Sequence, residues 1–198
     1  MMNDIPGSIT VEEINDAEAR FLLNDDHKAF DFIKTAAENG NPEAQHRMFC
    51  ILARGSEQDV SEGITWLHKA AEQGYVNSQN LLGGCYLNGE YVEEDETGAM
   101  NWFKKAAEQG DDYGQYNYGM CFIRGCGVER DIREAIRWFR KAAEQNSGLA
   151  QFELGKCYLF GHGVKENKAE AMIWLYKAAD NGNEDAKNTL YSYFGIEV

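Results

Sequence analysis

Tryptophan occurs in this chain at a fixed interval of 36 residues, and that interval limits the architectures the chain can adopt. The four tryptophans are Trp66, Trp102, Trp138 and Trp174. An Ala pair follows each of them by four residues, and a weaker copy of the phrase, FIKTAAENGN, begins at Phe32. Because a period of about 20 to 50 residues is typical of repeat arrays, the sequence predicts a stack of similar supersecondary units.

Each period carries the signals of two helices. The segment from Asp131 to Glu144 has apolar residues at spacings of three and four, which predicts one apolar stripe on a helix. Asp131 is suited to cap the N-terminus of that helix. Residues that tolerate positive φ stand at the equivalent stop positions: Gly40, Gly74, Gly110, Asn146 and Gly182. A new helix start follows at once, so each period is predicted to be a helical hairpin.

Glycine recurs inside the helix that follows three of these stops, at Gly83, Gly119 and Gly155. Glycine within a helix costs about 1 kcal/mol relative to alanine. We therefore expect a neighbouring aromatic side chain, the recurrent tryptophan or another, to occupy the space that a Cβ would need.

Two phrases carry a family resemblance: AQFELGKCYLFGHGV from Ala150 and AEAMIWLYKAA from Ala169. They resemble the Sel-1-like repeat, a relative of the tetratricopeptide repeat. The resemblance implies an all-α, right-handed α-solenoid of helix-turn-helix repeats with a period of 36 residues and a concave inner face. Residues 1–24 are predicted to be a tail and a divergent capping helix, and residues 25–198 an array of four to five repeats with a C-terminal capping helix.

The same resemblance implies a non-enzymatic adaptor that binds a protein partner in its groove. Such proteins act in membrane-protein quality control, envelope assembly and virulence, or as immunity or regulatory proteins of bacterial effectors. The alternative function is a binder of a small molecule or cell-wall fragment, or a weak enzyme, that uses the same groove.

The charge of the chain bears on its partners and its location. A net charge of −14 argues against nucleic acid, which requires clustered Lys and Arg. No stretch reaches the roughly 20 apolar residues that a membrane helix needs. The N-terminal sequence has neither a basic start nor an apolar run, so it does not resemble a secretory signal. We expect a cytoplasmic protein without membrane insertion, and the sequence leaves its oligomeric state open.

Catalytic and metal sites are not indicated. The histidines have no nucleophile and acid beside them in a recognisable motif, so no catalytic residue and no cofactor are predicted. Cys121-x4-Cys126 and Cys157-x4-His162 formally supply four zinc ligands, but both pairs occupy the same phase of successive repeats. Buried cysteines that behave as small apolar residues are the preferred interpretation over a metal site.

The partner-binding residues are predicted by analogy with tetratricopeptide arrays, in which the first helix of each hairpin lines the groove. Large apolar residues at groove positions are typical of binding hot spots, and the alternative is that the C-terminal helix or a partly closed superhelix covers them. The predicted site residues are Tyr113, Tyr116, Met120, Arg124, Phe152, Lys156, Phe160, Asn80 and Asn88. An acidic loop of Glu93, Glu94, Asp95 and Glu96 is a second candidate surface, although acids at a helix start also favour the helix dipole.

Overall fold

A computed structural model describes residues 9–24 and 26–197 of the chain. Within these ranges every regular element is an α-helix, so the predicted all-α fold is confirmed. The helices are α1 (Val11–Asn24), α2 (His27–Glu38), α3 (Pro42–Leu52), α4 (Glu57–Glu72), α5 (Val76–Asn88), α6 (Glu96–Glu108), α7 (Asp112–Arg124), α8 (Ile132–Glu144), α9 (Gly148–Phe160), α10 (Lys168–Asp180) and α11 (Glu184–Phe194).

Two kinds of helix alternate along the chain. We call α3, α5, α7, α9 and α11 the A helices, and α2, α4, α6, α8 and α10 the B helices. The tryptophans lie on B helices, and the interior glycines lie on A helices. Helices α1–α5 form one compact unit and α6–α11 form a second, which we call the N-terminal and C-terminal units.

The N-terminal end of the array begins with α1, whose Ile14 and Ala17 are buried in a core with Ile33 of α2 and Met48 of α3. The first eight residues of the predicted N-terminal tail lie outside the described residues. The proposed boundary between residues 24 and 25 stays a prediction.

Local signals set the helix boundaries as the sequence predicts. The Asp131 carboxylate accepts hydrogen bonds from the amides of Arg133 and Glu134 at the start of α8. At the end of the same helix, Asn146 adopts a φ of 69°, and the four glycines at the equivalent positions have φ between 82° and 91°. A residue in this left-handed region redirects the chain into the next helix, so each stop position fixes the start of the following A helix.

The two helices of a hairpin approach each other at the interior glycines. A Cβ built on Gly119 would lie 2.7 Å from the Phe139 ring, and one on Gly155 would lie 2.8 Å from Leu175 Cγ. The expectation of a tryptophan or another aromatic ring in this space is confirmed for Gly119, where the ring is that of Phe139, and is wrong for Gly155, where Leu175 fills it. Phe139 and Leu175 each follow a tryptophan by one residue, so the adjacent position on the B helix makes the contact.

The tryptophans instead lie beside charged side chains of their own helix. The Lys141 ammonium sits 3.7 Å above the Trp138 ring, and Lys177 sits 4.3 Å above Trp174. The Trp138 indole also donates a hydrogen bond to Glu134 at 3.0 Å. Such a cation over an indole face is an attractive contact, so each tryptophan holds a lysine of its own helix against its ring.

Buried glutamines link successive hairpins of the C-terminal unit. Gln151 Nε2 of α9 donates to the Ala143 carbonyl at 3.1 Å, and its Oε1 accepts from Asn181 Nδ2 at 2.8 Å. Gln115 of α7 is bonded in the same way to the Ala107 carbonyl and to Gln145. The bonds to Ala143 and Ala107 add a second donor to carbonyls in the last turn of a B helix, which also accept from the amides of Asn146 and Gly110.

Candidate partner-binding surface

The predicted site residues of the C-terminal unit lie along α7 and α9 and differ in exposure. Tyr113 is 51% exposed and Phe160 is 43% exposed, and Arg124 is also exposed. The other members of the predicted set are half-buried: Tyr116, Met120, Phe152 and Lys156. Both ends of this surface are therefore open to a partner, and its middle is partly occupied by contacts within the chain.

Phe160 belongs to a cluster of three aromatic side chains. Its ring centroid lies 5.5 Å from Tyr193 of α11 in an edge-on arrangement, and 5.7 Å from His162. Tyr193 is itself 59% exposed. We call Phe160, His162 and Tyr193 the aromatic cluster. The C-terminal helix thus contacts Phe160 without covering it.

Phe152 and Lys156 are held by their neighbours. Phe152 packs against the core that contains Leu175 and Leu190. The Lys156 ammonium lies 4.6 Å from the centre of the Phe152 ring and 2.8 Å from a carboxylate oxygen of Glu153. Because these contacts fix both side chains, Phe152 forms a supporting part of the surface.

Tyr116 is a second half-buried aromatic residue. Its ring centroid lies 5.9 Å from that of Phe139 on α8. Burial raises the pKa of the Tyr116 phenol, and the negative charge of Glu153 raises it further. The hydroxyl therefore remains protonated at neutral pH and can donate a hydrogen bond at the edge of this surface.

Tyr113 lies at the opposite end of α7 from Arg124. Eleven residues separate them, which corresponds to about 16 Å along a helix. The equivalent residue of α9 is Leu149, which is 44% exposed. Tyr113 and Leu149 thus form a second, smaller apolar region, distinct from the aromatic cluster.

The two predicted residues of the N-terminal unit are placed differently. Asn88 is exposed at the end of α5, whereas Asn80 is only 8% exposed. Near the start of the same helix, Ser78 Oγ lies 2.9 Å from Nδ1 of the buried His46. The Nε2 atom of His46 is 3.7 Å from Cys50 Sγ. Burial, with a smaller contribution from Arg47, lowers the pKa of His46 to about 4.

The cysteines considered as zinc ligands occupy different environments. Cys121 and Cys157 are buried, Cys126 is half-buried and His162 is exposed. Burial raises the pKa of Cys121 to about 12 and that of Cys157 to about 11. Over residues 9–24 and 26–197, no three or more His, Cys, Asp or Glu side chains are grouped to hold a metal ion. None of the described helices is both long enough and apolar enough to span a bilayer.

The acidic loop leads into α6 and includes its first residue. Glu93, Glu94, Asp95 and Glu96 are all exposed, and α6 begins at Glu96. Glu96 thus lies in the first turn, where a negative charge favours the helix dipole. The loop is available to a partner, but part of its charge has this local role.

The sequence profile of the Sel1 repeat matches residues 18–41, 42–75, 76–111, 112–147 and 148–183. The chain belongs to the Sel1 repeat family. Each complete match from residue 42 onwards contains one A helix followed by one B helix. Sel1 repeats generally mediate protein–protein interaction.

Solved structures of other Sel1 proteins resemble this one. A Sel1 repeat protein from Oxalobacter formigenes is 28% identical with a TM-score of 0.84, over 98% of this chain and 82% of that protein. A protective antigen of uropathogenic Escherichia coli strains is 37% identical with a TM-score of 0.78, over 85% of this chain. The aligned part covers only 37% of that antigen. A search of curated protein sequences gave no significant match.

The exposed tyrosine of the aromatic cluster was not predicted from the sequence. Tyr193 lies 36 residues after Cys157 and 72 after Cys121, and both cysteines are buried. Repeat position alone therefore predicts that Tyr193 is buried. The available signal was the residue type, because a tyrosine replaces a small cysteine at this position of the repeat.

Proposed function

We propose that this chain is a non-enzymatic adaptor that binds a segment of a partner protein at the aromatic cluster. The observation that carries the proposal is the exposure of Phe160 and Tyr193, at 43% and 59%, in direct ring contact. Exposed aromatic side chains that are held in place lose little entropy on binding, and aromatic residues are enriched at binding hot spots.

The chemistry of this surface suits contact with a partner segment. Phe160 presents its ring between those of His162 and Tyr193, and the ammonium of Lys156 is engaged by Glu153. Arg124 occupies in α7 the position that Phe160 occupies in α9. A partner segment that crosses these two helices would meet an arginine beside the aromatic cluster, so we expect it to carry an apolar anchor and a carboxylate or carbonyl acceptor.

The test compares two tyrosines on one helix. Tyr191 and Tyr193 of α11 are 60% and 59% exposed. Two residues correspond to a rotation of about 200° on a helix, so the side chains point to nearly opposite faces. Tyr193→Ala removes part of the aromatic cluster, whereas Tyr191→Ala removes an equally exposed tyrosine from the other face of α11.

The tagged full chain is used to capture a partner from its native cells, and affinities are then measured with the purified partner. We expect Phe160→Ala and Tyr193→Ala to weaken binding about thirtyfold, as the loss of a hot-spot side chain does. Tyr191→Ala should bind like the parent chain. Equal affinity of all variants, with circular dichroism showing that each is folded, would contradict the proposal.

The finer roles stay predictions. An immunity or regulatory role toward a bacterial effector predicts that the captured partner is an effector whose activity falls when this chain is added. The alternative function, binding of a small molecule or cell-wall fragment, predicts instead that such a ligand raises the thermal stability of the chain. Cytoplasmic location is tested by fractionation of the native cells.

A further inference from the structure

Arginine is concentrated on one face of α8 in an otherwise acidic chain. Arg133, Arg137 and Arg140 are exposed and are spaced four and three residues apart, so they lie on one side of the helix. Arg130 precedes them by three residues and is exposed too. We call these four residues the arginine stripe. The chain as a whole carries a net charge of −14, so this local positive charge is unusual for the molecule.

Most of this positive charge is not neutralised by carboxylates. Arg130 Nε donates to the Ile123 carbonyl at 2.9 Å, and an Nη atom of Arg140 donates to the Tyr158 hydroxyl at 2.8 Å. Both acceptors are neutral, so these bonds hold the guanidinium groups in place without pairing them to a carboxylate. In the described part of the chain, Arg133 makes no ion pair within 4 Å.

The one ion pair of the stripe is weak. Arg137 lies 3.0 Å from a carboxylate oxygen of Glu134, and the Arg137 side chain is 77% exposed. Exposed pairs of this kind contribute little to stability, because solvent screens them. Arg137 can therefore exchange Glu134 for a carboxylate of a partner.

Arginine on this face is not a requirement of the repeat. The residues equivalent to Arg137 in the flanking B helices are Asn101 and Ile173. Those equivalent to Arg140 are Lys104 and Tyr176. Residues that build the repeat recur at the repeat interval, and these do not, so the stripe is a specific property of α8.

Two exposed apolar residues accompany the stripe on the next B helix. Ile173 is 50% exposed and Tyr176 is 38% exposed on α10. Both α8 and α10 pack against α9, and successive repeats are related by a small rotation. Equivalent exposed positions of α8 and α10 therefore face the same side of the C-terminal unit, and Ile173 and Tyr176 correspond in position to Arg137 and Arg140.

We propose that the arginine stripe, together with Ile173 and Tyr176, is a second docking surface, which binds an acidic helical segment of a partner protein. It lies on B helices, apart from the aromatic cluster on α9 and α11. Guanidinium groups bind carboxylates through paired hydrogen bonds. A helix that carries Glu or Asp once per turn repeats its carboxylates about every 5 to 6 Å, which matches the spacing of Arg133, Arg137 and Arg140 along α8.

Charge and size favour a protein segment over the two other polyanions. Nucleic acid binding depends on many phosphate contacts over a basic surface, whereas Arg133 to Arg140 extend over about 10 Å of helix in a chain of net charge −14. An anionic bilayer would be repelled by the same net charge, and only two apolar side chains stand beside the stripe to enter it. A short acidic helix requires neither an extended basic field nor a broad apolar face.

The probe for this surface is a synthetic, end-capped and fluorescently labelled peptide of about 18 residues, long enough to form a helix. It carries Glu once per turn on one face and a Leu beside that face. Its binding to the full chain is measured by fluorescence anisotropy at about 50 mM and about 200 mM salt, where screening differs. The same peptide with Gln in place of Glu, a phosphoserine peptide, single-stranded DNA and phosphatidylserine vesicles are measured beside it.

Two triple variants separate the stripe from general charge. Arg133→Gln, Arg137→Gln and Arg140→Gln are combined in one chain. The control combines Lys165→Gln, Lys168→Gln and Lys187→Gln, which removes the same charge from positions of the same unit that are not equivalent to the stripe. Circular dichroism checks that both variants are folded. A third chain with Ile173→Ala and Tyr176→Ala tests the apolar pair.

We expect the Glu peptide to bind the parent chain, more weakly at the higher salt, and the Gln peptide to bind at least about tenfold more weakly, a difference of about 1.4 kcal/mol. The affinity for the Glu peptide should fall at least about tenfold in the arginine variant. It should fall less than about threefold in the lysine control. The Ile173 and Tyr176 variant should lose affinity without changing the salt dependence. Failure of the Glu peptide to bind, equal loss in the two triple variants, or tighter stripe-dependent binding of DNA, vesicles or the phosphoserine peptide would overturn the proposal. Because it uses none of the aromatic-cluster variants, this result is independent of the function proposed above.

Discussion

Gly119 of α7 faces the ring of Phe139 on α8 so closely that a Cβ at residue 119 would lie 2.7 Å from a ring carbon. Phe139 is fully buried, so its ring has no space into which it can move. The same Cβ would also lie 3.3 Å from the Ala135 carbonyl oxygen. The two helices of this hairpin therefore pack at a distance that only glycine permits.

We predict that Gly119→Ala destabilises the protein. Alanine improves helix propensity by about 1 kcal/mol, but overpacking in a filled core costs about 1 to 3 kcal/mol. We expect the overpacking to dominate, with a net loss of about 1 kcal/mol in the free energy of unfolding, measured by urea denaturation.

The matched control is Gly84→Ala. Gly84 also lies inside an A helix, and a Cβ there would have no atom within 4 Å. Only the propensity effect acts at this position, so the control should gain up to about 1 kcal/mol. A Gly119→Ala variant as stable as Gly84→Ala would show that the helices can separate without cost.

A second prediction concerns the buried glutamine of α9. Gln151 is 1% exposed and bonds both the Ala143 carbonyl and Asn181. Gln151→Met keeps the shape of the side chain but removes both hydrogen bonds. The Ala143 carbonyl keeps the Asn146 amide as a donor, so we expect a loss of about 1 kcal/mol. Lys187 occupies the equivalent position of α11 and is half-buried, so Lys187→Met should change stability by less than about 0.5 kcal/mol. Similar losses for the two variants in urea denaturation would refute a special role of the glutamine bonds.

Features that depend on local chemistry could be predicted from the sequence. The stop positions, including the φ of 69° at Asn146, follow from the residues next to each helix end. The alternation of A and B helices follows from the 36-residue recurrence of tryptophan. The stop signals are contained in a few neighbouring residues and the recurrence is visible along the sequence, so neither requires knowledge of what packs against a residue.

Features that depend on a neighbour could not be predicted in the same way. The glycine positions indicated close packing, but only the structure shows that Phe139 approaches Gly119 while Trp138 lies under Lys141. Exposure is the other example. Tyr193 stands at a repeat position where Cys157 is buried, yet it is exposed beside Phe160. Whether a repeat position is buried depends on the surrounding helices, which the spacing of residues does not specify.

A third prediction concerns the pH dependence of stability. Burial lowers the pKa of His46 to about 4 in the folded protein, against about 6.5 in the unfolded chain. The unfolded chain therefore binds the proton more tightly between these values. The contribution of His46 is fully present above pH 6.5 and is lost as the pH falls toward 4, by up to about 3 kcal/mol.

The test replaces His46 with the residue found at the equivalent position of α5, which is Asn80. The free energy of unfolding of His46→Asn and of the parent chain is measured from pH 7 to pH 4. The parent should lose more stability than the variant over this range. Parallel profiles for His46→Asn and the parent would show that the pKa of His46 is not lowered.

The fourth prediction concerns thiol reactivity, because the five cysteines differ in burial. The thiolate is the reactive form, and burial raises the pKa of Cys85 and Cys157 to about 11 and that of Cys121 to about 12. In the native protein at pH 8 we expect the half-buried Cys50 and Cys126 to react first with a thiol reagent, and the buried three only as the fold opens. A Cys50→Ser and Cys126→Ser chain should therefore retain only the slow phase. After denaturation without reductant, all five thiols of the parent should react at once. A fast phase that persists in the double variant would contradict the burial of the remaining cysteines, and fewer than five reactive thiols in denaturant would reveal a disulfide or a bound ligand.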